Sequence, residues 1–342
     1  MSYEWIRWFE ELDKDCNDQV GKKCANLGEM TRIGLRVPPG FALSLQAYKD
    51  FMSSTGADLE IRDYLDSLDH DFENIRQFNE AGAELRRIVE SKDMPGEMSE
   101  AILYRYEELC RRWDMEEMAV STRSAGAASH PGQYETYLNV RGRRDVIEKI
   151  KKVWSSTFNP RSLSSRKRAG APLQSDPIGV AVLKMVNART AGVLFTADPN
   201  TGDTSKMIIE ANWGLGESVV GGDTVPDVYI LEKESLEVIE RKLGSKGKCI
   251  TFKEIGVEEV DTPDEKSCIF CLSDDEAKEI GRLGKILEEH FDVPQDTEWA
   301  VDLDMDFPDN VVLLQTRPEV IAQKKKPADQ VIDLMLSRFI GR

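Results

Sequence analysis

Residues 296–319 read DTEWAVDLDMDFPDNVVLLQTRPE, two apolar stretches separated by a loop rich in Asp, Pro and Asn. Strand-like runs on either side of such a loop favour an antiparallel hairpin. Because side chains alternate along a strand, Asp296 and Glu298 share one face, as do Gln315 and Arg317. A hairpin centred on the loop places Glu298 opposite Gln315. We therefore expect two carboxylates, an amide and a guanidinium to converge at one end of the hairpin.

This set of groups suits a magnesium ion and phosphates. Carboxylate and amide oxygens are hard ligands of the kind that Mg²⁺ takes when it bridges phosphate oxygens, so Glu298 and Gln315 are candidate metal ligands. Arg317 is then aimed at the terminal phosphate. The alternative is an ordinary solvated end of a hairpin, in which the charges pair with each other or with water.

The rest of the chain divides into a helical first part and a strand-rich second part. The apolar spacing predicts helix over residues 1–35, then helices capped by Ser44 and Ser99. A flexible stretch is expected at 161–176, and a last long helix starts at Ser273. Helices followed by mixed elements and then strands indicate an α+β fold with two lobes, rather than alternating βαβ units.

Two further segments carry isolated cations in Gly-rich surroundings. GKKCANLGEM places Lys22 and Lys23 directly after Gly21 at the start of a helix, where backbone amides favour phosphate. In VSTRSAG, Arg123 ends an apolar strand before small residues that allow close approach of a ligand. A solvated lysine pair and a structural ion pair are the alternatives. His130, in the loop that follows, has no neighbouring base or orienting group and is not assigned to catalysis.

A third segment, VLKMV, predicts a strand on the adenine side. We expect this strand to lie at the edge between the lobes, with its backbone meeting adenine and Lys184 reaching the phosphates. A simple core strand is the alternative.

Charge and composition exclude several classes of function. The net charge is −17, so extended contact with nucleic acid is not expected. No run approaches the roughly 20 apolar residues of a membrane helix. The N-terminus has no signal-peptide pattern, which predicts a cytoplasmic protein. The six cysteines are expected to be reduced thiols, and no P-loop signature is present.

In order along the chain, these motifs resemble the nucleotide-binding domain of the phosphoenolpyruvate synthase and pyruvate phosphate dikinase family. The matching segments are KCANLGEM with VPPGFALS, RSAG with PGQYETYLNV, KMV with AGVLFTADP, NWGLGE with PDVYIL, and DTEW with LQTRPE. The resemblance implies an ATP-grasp fold with the nucleotide cleft between two lobes. The expected lobes are 1–185 and 186–322, followed by a tail helix over 323–342.

The resemblance also implies a role for each matching residue. Lys23, with Lys22 as the alternative, and Arg123 would bind the phosphates of ATP. Glu298 and Gln315 would bind Mg²⁺. The remaining implied positions are Gly132 and Thr136 in a phosphate-side loop, Met185 and Val186 at the adenine hinge, Asp296 beside the metal, and Arg317 at the reacting phosphate.

Two residues depart from the usual family pattern. Lys22 replaces the second glycine of the family's G-G-K motif, and Leu183 stands where Gln often precedes K-M-V. The family's phosphate-accepting histidine motif is also missing from the sequence. This predicts a histidine-bearing partner subunit that holds a small-molecule acceptor, with no nucleic-acid or membrane partner.

Isolated ATP-grasp subunits of this type resemble the ATP-binding subunit of phenylphosphate synthase, which implies phenol as the acceptor. The family chemistry implies that the β,γ-phosphates of ATP pass to the partner's histidine. The alternatives are a split phosphoenolpyruvate synthase, an antibiotic phosphotransferase and a non-catalytic nucleotide-sensing subunit.

Overall fold

The structure is a computed structural model that describes residues 5–68, 74–127, 134–222 and 224–319. The chain divides into two compact units, and both contain helices and antiparallel strands, which confirms the α+β prediction. The first unit comprises Met1–Arg189, Ile250–Val260 and Ala300–Thr316, and the second comprises Thr190–Cys249, Asp261–Trp299 and Arg317–Arg342. The lobe boundaries given above stay predictions, and the expected tail helix at 323–342 lies outside the described residues.

The first unit is built on a five-stranded sheet in the order β1-β2-β5-β3-β4. Its strands are β1 (Ile6–Trp8), β2 (Gly40–Leu43), β3 (Val120–Gly126), β4 (Thr136–Val140) and β5 (Ile178–Lys184). Its helices are α1 (Asn17–Val20), α2 (Lys22–Arg32), α3 (Leu45–Ser54), α4 (Ala57–Asp66), α5 (Ile75–Ser91), α6 (Gly96–Arg112), α7 (Gly142–Ser155) and α8 (Pro160–Arg168).

The two faces of this sheet differ in side-chain size. One face carries large apolar residues, including the paired Phe41 and Val182, and joins a core that helices α3–α8 complete. The other face carries Ala42 opposite Ala181, and Gly179 opposite Ala125. Small side chains leave room for a second layer to approach the sheet backbone closely. The α1–α2 segment packs against this face.

The prediction of helix over residues 1–35 is wrong for the first part of that segment. Ile6–Trp8 form strand β1 and pair with β2, and two 3₁₀ turns follow at Phe9–Glu11 and Lys14–Cys16. Trp8 and Phe9 are nevertheless buried. The spacing of these aromatic residues fits a strand followed by a tight turn as well as it fits a helix. The pairing of β1 with β2 selects the strand.

Two other local predictions are also wrong. Helix α6 starts at Gly96 rather than after Ser99, because the buried face of the helix already includes Met98. The first half of the stretch expected to be flexible, residues 161–168, lies in α8, whose start is capped by the side chain of Asn159. Arg166 near the end of this helix stabilises it, because its Nη2 donates to the carbonyl of Thr157, before the helix, at 2.6 Å. In contrast, Ser44 caps α3 as predicted.

The expected edge position of the VLKMV strand is wrong as well. Strand β5 lies in the middle of the five-stranded sheet, between β2 and β3. Residues 178–183 are all buried, because the strand has neighbours on both edges and layers on both faces.

The second sheet has six strands in the order β13-β12-β6-β7-β8-β9. They are β6 (Ala188–Phe195), β7 (Lys206–Trp213), β8 (Asp227–Glu232), β9 (Val238–Lys242), β12 (Gln295–Asp302) and β13 (Val311–Pro318). A two-stranded sheet joins β10 (Lys248–Phe252) and β11 (Val257–Asp261). The sequence patterns predict neither β9 nor β11. The helices of this part are α9 (Glu217–Val220), α10 (Asp264–Ser267) and α11 (Asp274–Phe291).

Helix α11 packs closely on the six-stranded sheet. A Cβ at Gly281 would lie 2.8 Å from Leu231 of β8, and one at Gly284 would lie 2.2 Å from Leu194 of β6. The glycines therefore allow the helix axis to approach the strands. Ser273 caps the helix in a capping box with Glu276, as the sequence predicts for Ser273.

Candidate functional site

The N-terminus of helix α2 carries the predicted lysine pair. Lys22 and Lys23 are its first two residues, both half-buried, and Gly21 precedes them with a φ of 82°. A Cβ at Gly21 would lie 1.9 Å from the carbonyl oxygen of Ala125 in β3. Only glycine combines this backbone conformation with so close an approach. The start of α2 is thus held against the end of β3.

The same close packing occurs one residue earlier, along α1. A Cβ at Gly179 of β5 would lie 2.2 Å from the carbonyl oxygen of Val20. The small residues of this sheet face therefore allow the junction between α1 and α2 to approach the strands closely. They place the two lysines on the face of the sheet that also carries Arg123, since Arg123 pairs in register with Ala181 of β5.

Arg123 connects strand β3 to the final hairpin. Its Nη1 donates to the carbonyl of Leu314 at 3.2 Å, and its Nη2 donates to Oε1 of Gln315 at 3.4 Å. In the other direction Arg123 pairs in register with Thr136, the first residue of β4. Three predicted site residues from distant parts of the sequence therefore lie together in the first unit.

A further side chain, which the sequence reading did not single out, joins α2 to the same strand. Asn26 is 7% exposed, and its Nδ2 donates to the carbonyl of Thr316 at 2.7 Å. Its only signal in the sequence was its place within the KCANLGEM motif. Helix α2, strand β3 and strand β13 are thus linked through Asn26 and Arg123.

In the second unit, Asp296 and Arg317 form an ion pair, with 2.6 Å between Nη2 of Arg317 and Oδ2 of Asp296. The alternation along β12 is as predicted, because Thr297 is buried while Asp296 and Glu298 are half-buried. Burial raises the pKa of Asp296, the charge of Arg317 opposes this rise, and the charge of Glu298 adds to it. Glu298 therefore lies close enough to Asp296 for their charges to interact.

Glu319 lies just beyond β13 and contacts the loop after β6. Its Oε2 accepts a hydrogen bond from the amide of Ala197 at 3.1 Å. Burial raises the pKa of Glu319 to about 7; the bond from Ala197 lowers it, and the charge of Asp296 raises it further. A carboxyl group that titrates near neutrality thus lies near the Asp296–Arg317 pair.

The predicted adenine hinge follows directly after β5. The amide of Met185 donates to the carbonyl of Ala119, and the amide of Ala188 donates to the carbonyl of Val186, both at 2.9 Å. Leu183, which departs from the family pattern, pairs with Gly40 and is buried.

The structure does not bring Lys184 to the face that carries Arg123. Lys184 pairs in register with Val120, three residues before Arg123, so the two side chains leave the sheet on opposite faces. Its Nζ lies 5.4 Å from the ring centroid of Trp113. A neighbouring indole is thus its observed partner.

Gly132 and His130 lie outside the described residues. Within the described residues, no group of three or more His, Cys, Asp or Glu side chains is arranged to hold a metal ion. No helix in this part of the chain is long and apolar enough to cross a membrane. The six cysteines are free thiols.

The residues present suit Mg²⁺ and a nucleotide phosphate chain, as a comparison of their chemistry shows. Helix α2 offers amide donors beside two lysines, and Arg123 adds a guanidinium on the same sheet face. Gln315 in the first unit carries an amide oxygen and Glu298 in the second unit a carboxylate, and each is a donor type that Mg²⁺ accepts.

Comparison with known proteins matches residues 17–336 to the pyruvate phosphate dikinase AMP/ATP-binding domain. A probable phosphoenolpyruvate synthase from Staphylothermus marinus is 37% identical over 359 residues, covering 95% of this chain and 42% of the relative. One from Methanocaldococcus jannaschii is 35% identical and covers 95% of this chain and 27% of the relative. The phosphoenolpyruvate synthase of Aeropyrum pernix is 35% identical, with 95% and 43% covered.

The chain thus spans less than half the length of these relatives, and its match to the family extends over most of its own length. Both the motif order and the α+β fold agree with this match. The chain belongs to the pyruvate phosphate dikinase AMP/ATP-binding domain family, the nucleotide-binding domain of phosphoenolpyruvate synthases and their relatives.

Proposed function

We propose that this chain binds Mg·ATP and activates its β,γ-phosphates for transfer to a histidine on a partner subunit. The observation that carries the proposal is the contact of Arg123 with Gln315, together with the packing of Gly21 against Ala125. A lysine-bearing helix start, an arginine and a candidate metal ligand thereby lie in one unit. Each has the chemistry that a magnesium-bound triphosphate requires.

Phosphate binding is assigned to the first turn of α2 and to β3. Lys23, or Lys22 in its place, offers an ammonium group at the N-terminus of the helix, where backbone amides favour phosphate. Arg123 offers a guanidinium that can contact two phosphate oxygens at once. Thr136, opposite Arg123, and Gly132 complete the phosphate side. Because the net charge of the chain is −17, a polyphosphate needs such local cations in order to bind.

The metal is assigned to Glu298 and Gln315. When bound, Mg²⁺ would neutralise phosphate charge as the terminal phosphates are transferred. Gln315 already accepts a hydrogen bond from Arg123, so its amide oxygen is oriented by a group of the same site. Asp296 holds Arg317 through their ion pair, and Arg317 is assigned to the reacting phosphate.

Adenine is assigned to the backbone at Met185 and Val186. The amide of Met185 and the carbonyl of Val186 already have partners within the chain, so we assign the carbonyl of Met185 and the amide of Val186 to the base. A base edge with one donor and one acceptor suits this pair of backbone groups. We assign no phosphate contact to Lys184, because its ammonium lies over Trp113 on the other sheet face.

The transfer that we propose proceeds in three steps. The β,γ-phosphates leave ATP as a unit and are taken up by the partner's histidine, releasing AMP. Hydrolysis then releases one phosphate. The remaining phosphohistidine phosphorylates a small acceptor held by the partner, and we propose phenol, giving phenylphosphate. In this scheme the present chain positions the phosphates and balances their charge, and it needs no nucleophile of its own.

Pyruvate is the second candidate acceptor. The relatives described above are named phosphoenolpyruvate synthases, which favours a split enzyme of that type. The acceptor lies on the partner in either case, so the two candidates share every assignment made for this chain.

The test combines the chain with proteins that copurify with it from its native source. Incubation with ATP and Mg²⁺ should form AMP and phosphate, and mass spectrometry should find phosphohistidine on the copurifying chain. Supplying phenol or pyruvate should then discharge the phosphohistidine selectively. Formation of ADP without AMP, or the absence of any phosphohistidine, would contradict the proposal and favour a nucleotide-sensing subunit.

A further inference from the structure

Asn26 makes a buried connection between the lysine-bearing helix and the final strand. Its side-chain amide donates to the carbonyl of Thr316 at 2.7 Å, and the bond joins positions 290 residues apart in the sequence. Asn26 is 7% exposed and Thr316 is 1% exposed, so water competes little for this bond. A buried bond of this kind fixes the separation of the two backbones that it joins.

At its helix end, the bond lies close to the lysines that are proposed to bind phosphate. Asn26 lies four residues after Lys22 and three after Lys23, so all three occupy neighbouring turns on one side of α2. A shift of the helix start therefore moves the donor of this bond. The anchor at Asn26 limits such a shift because its acceptor is a backbone atom of a strand.

At its strand end, the bond holds the residue next to Gln315. Arg123 already contacts the carbonyl of Leu314 and the side chain of Gln315. With the Asn26 bond to Thr316, the backbone is held on both sides of Gln315. Gln315, which is 8% exposed, is thus held by one bond to its side chain and by bonds to the backbone carbonyls of both neighbours.

We propose that Asn26 is a positioning residue that holds the Gln315 amide oxygen where a divalent cation on the nucleotide phosphates needs it. The inference rests on the proposed function, because it takes Gln315 as a ligand of that cation. Asn26 itself touches neither metal nor nucleotide and acts through the backbone of Thr316. Ligand-orienting neighbours of this kind typically change metal affinity by about 10–100-fold when removed.

The experiment measures the affinity of the full chain for ATP by calorimetry, with Mg²⁺ and with EDTA. The ratio of the two affinities is the gain due to the metal. Asn26→Asp replaces the donating amide by an acceptor of the same shape. We expect this variant to lose about tenfold or more of the gain, while its affinity in EDTA stays within about twofold of wild type. Asn26→Ala, which adds no charge, should show the same loss and decides the outcome if the aspartate variant does not fold.

Asn139→Asp is the matched control. Asn139 is also buried, and its Nδ2 donates to the carbonyls of Lys253 and Gly256 at 2.7 and 2.8 Å, in the same unit. Asparagine and aspartate both tolerate its φ of 50°. This variant should leave the gain due to the metal unchanged, even if it lowers the stability of the fold.

A double variant separates positioning from general stabilisation. If Asn26 acts through Gln315, Asn26→Ala should reduce the gain much less in a Gln315→Ala background than in wild type. Equal reductions in both backgrounds would overturn the inference, as would a wild-type gain in Asn26→Asp. A wild-type chain that binds ATP equally with Mg²⁺ and with EDTA would instead remove the proposed metal site, and this inference with it.

Discussion

Arg123 and Gln315 lie 192 positions apart in the sequence, and a hydrogen bond of 3.4 Å joins the guanidinium of one to the amide oxygen of the other. The same guanidinium reaches the backbone of Leu314. One side chain thus orders the strand that carries the candidate metal ligand and remains on the sheet face of the lysine pair. Substitution of Arg123 should therefore lower the affinity for nucleotide more than it lowers the stability of the fold.

Arg123→Lys should weaken ATP binding about tenfold or more, because an ammonium group cannot hold Leu314, Gln315 and phosphate in the planar geometry of a guanidinium. Calorimetry with Mg·ATP measures the change. Arg36→Lys is the control, since Arg36 also donates to a β13 carbonyl, that of Val311, at 3.2 Å. Equal losses of affinity in the two variants would contradict a phosphate role for Arg123.

Arg317→Ala should abolish ATP-dependent labelling of the partner's histidine and reduce nucleotide affinity only modestly. The reason is that Arg317 is assigned to the phosphate that reacts, where charge changes most during transfer. Arg241→Ala is the control, because Arg241 also lies on a strand of the second unit and pairs with a carboxylate, that of Asp274. Near-normal labelling by the Arg317 variant would refute its role.

Glu298→Gln should remove about tenfold or more of the increase in ATP affinity that Mg²⁺ provides, because the amide lacks the charge of the carboxylate. Affinity in EDTA should not fall, since a negative charge near the phosphates is lost. Glu240→Gln on strand β9, where the side chain is exposed, gives the same change of charge away from the site. A Mg²⁺ dependence that survives in the Glu298 variant would exclude this ligand.

Glu319→Gln should alter how stability depends on pH. The pKa of Glu319 is raised to about 7 in the folded chain, from its ordinary value of 4.5, chiefly by burial. The protonated form is therefore favoured by folding, and its contribution is complete below about pH 4.5 and lost as the pH rises through about 7.

Denaturation with urea at pH 5 and pH 8 measures this effect. Relative to wild type, the glutamine variant should gain on the order of 1 kcal/mol at the higher pH, a figure reduced for the partial exposure of the group. The pKa of Glu319 also depends on the charges of Asp296, Lys233 and Glu288. Wild type and variant are therefore compared with each other at the same pH. An identical pH dependence in both proteins would contradict the raised pKa.

Gly21→Ala should destabilise the first unit by about 3 kcal/mol or more, because the new Cβ adds a collision with Ala125 to an unfavourable φ. Gly34→Ala separates the two causes. Gly34 has a similar φ of 79° but nothing within 4 Å of an added Cβ, so its variant should lose only about 1 kcal/mol. Urea denaturation compares them, and equal losses would show that the close approach to Ala125 does not matter.

The final hairpin could be predicted because residues close together in the sequence specify its strands and its turn. The alternation of DTEW gives the half-buried positions of Asp296 and Glu298, and a turn-rich loop brings Arg317 back to Asp296. The register of separate strands is not local. The opposite faces of Lys184 and Arg123 follow from the pairing of β3 with β5, which no short segment encodes.

Two other features were missed for different physical reasons. The apolar spacing around Trp8 and Phe9 suits both a helix and a strand with a turn, and only the partner strand β2 resolves it. Asn26 looks like any polar residue of a helix until its distant acceptor, Thr316, is known. Tertiary hydrogen bonds of this kind leave no periodic signal in a sequence.

Strand β13 lies at the end of the six-stranded sheet, where an exposed strand can recruit another chain. Arg36 contacts this strand twice, because its Nε donates to the carbonyl of Val311 at 3.2 Å and its carbonyl accepts from the amide of Leu313 at 2.8 Å. These backbone groups face away from β12, since the carbonyl of Asn310, one residue earlier, accepts from the amide of Asp302. A foreign strand pairing with Val311 and Leu313 would first have to displace Arg36, so this residue also protects the sheet against self-association.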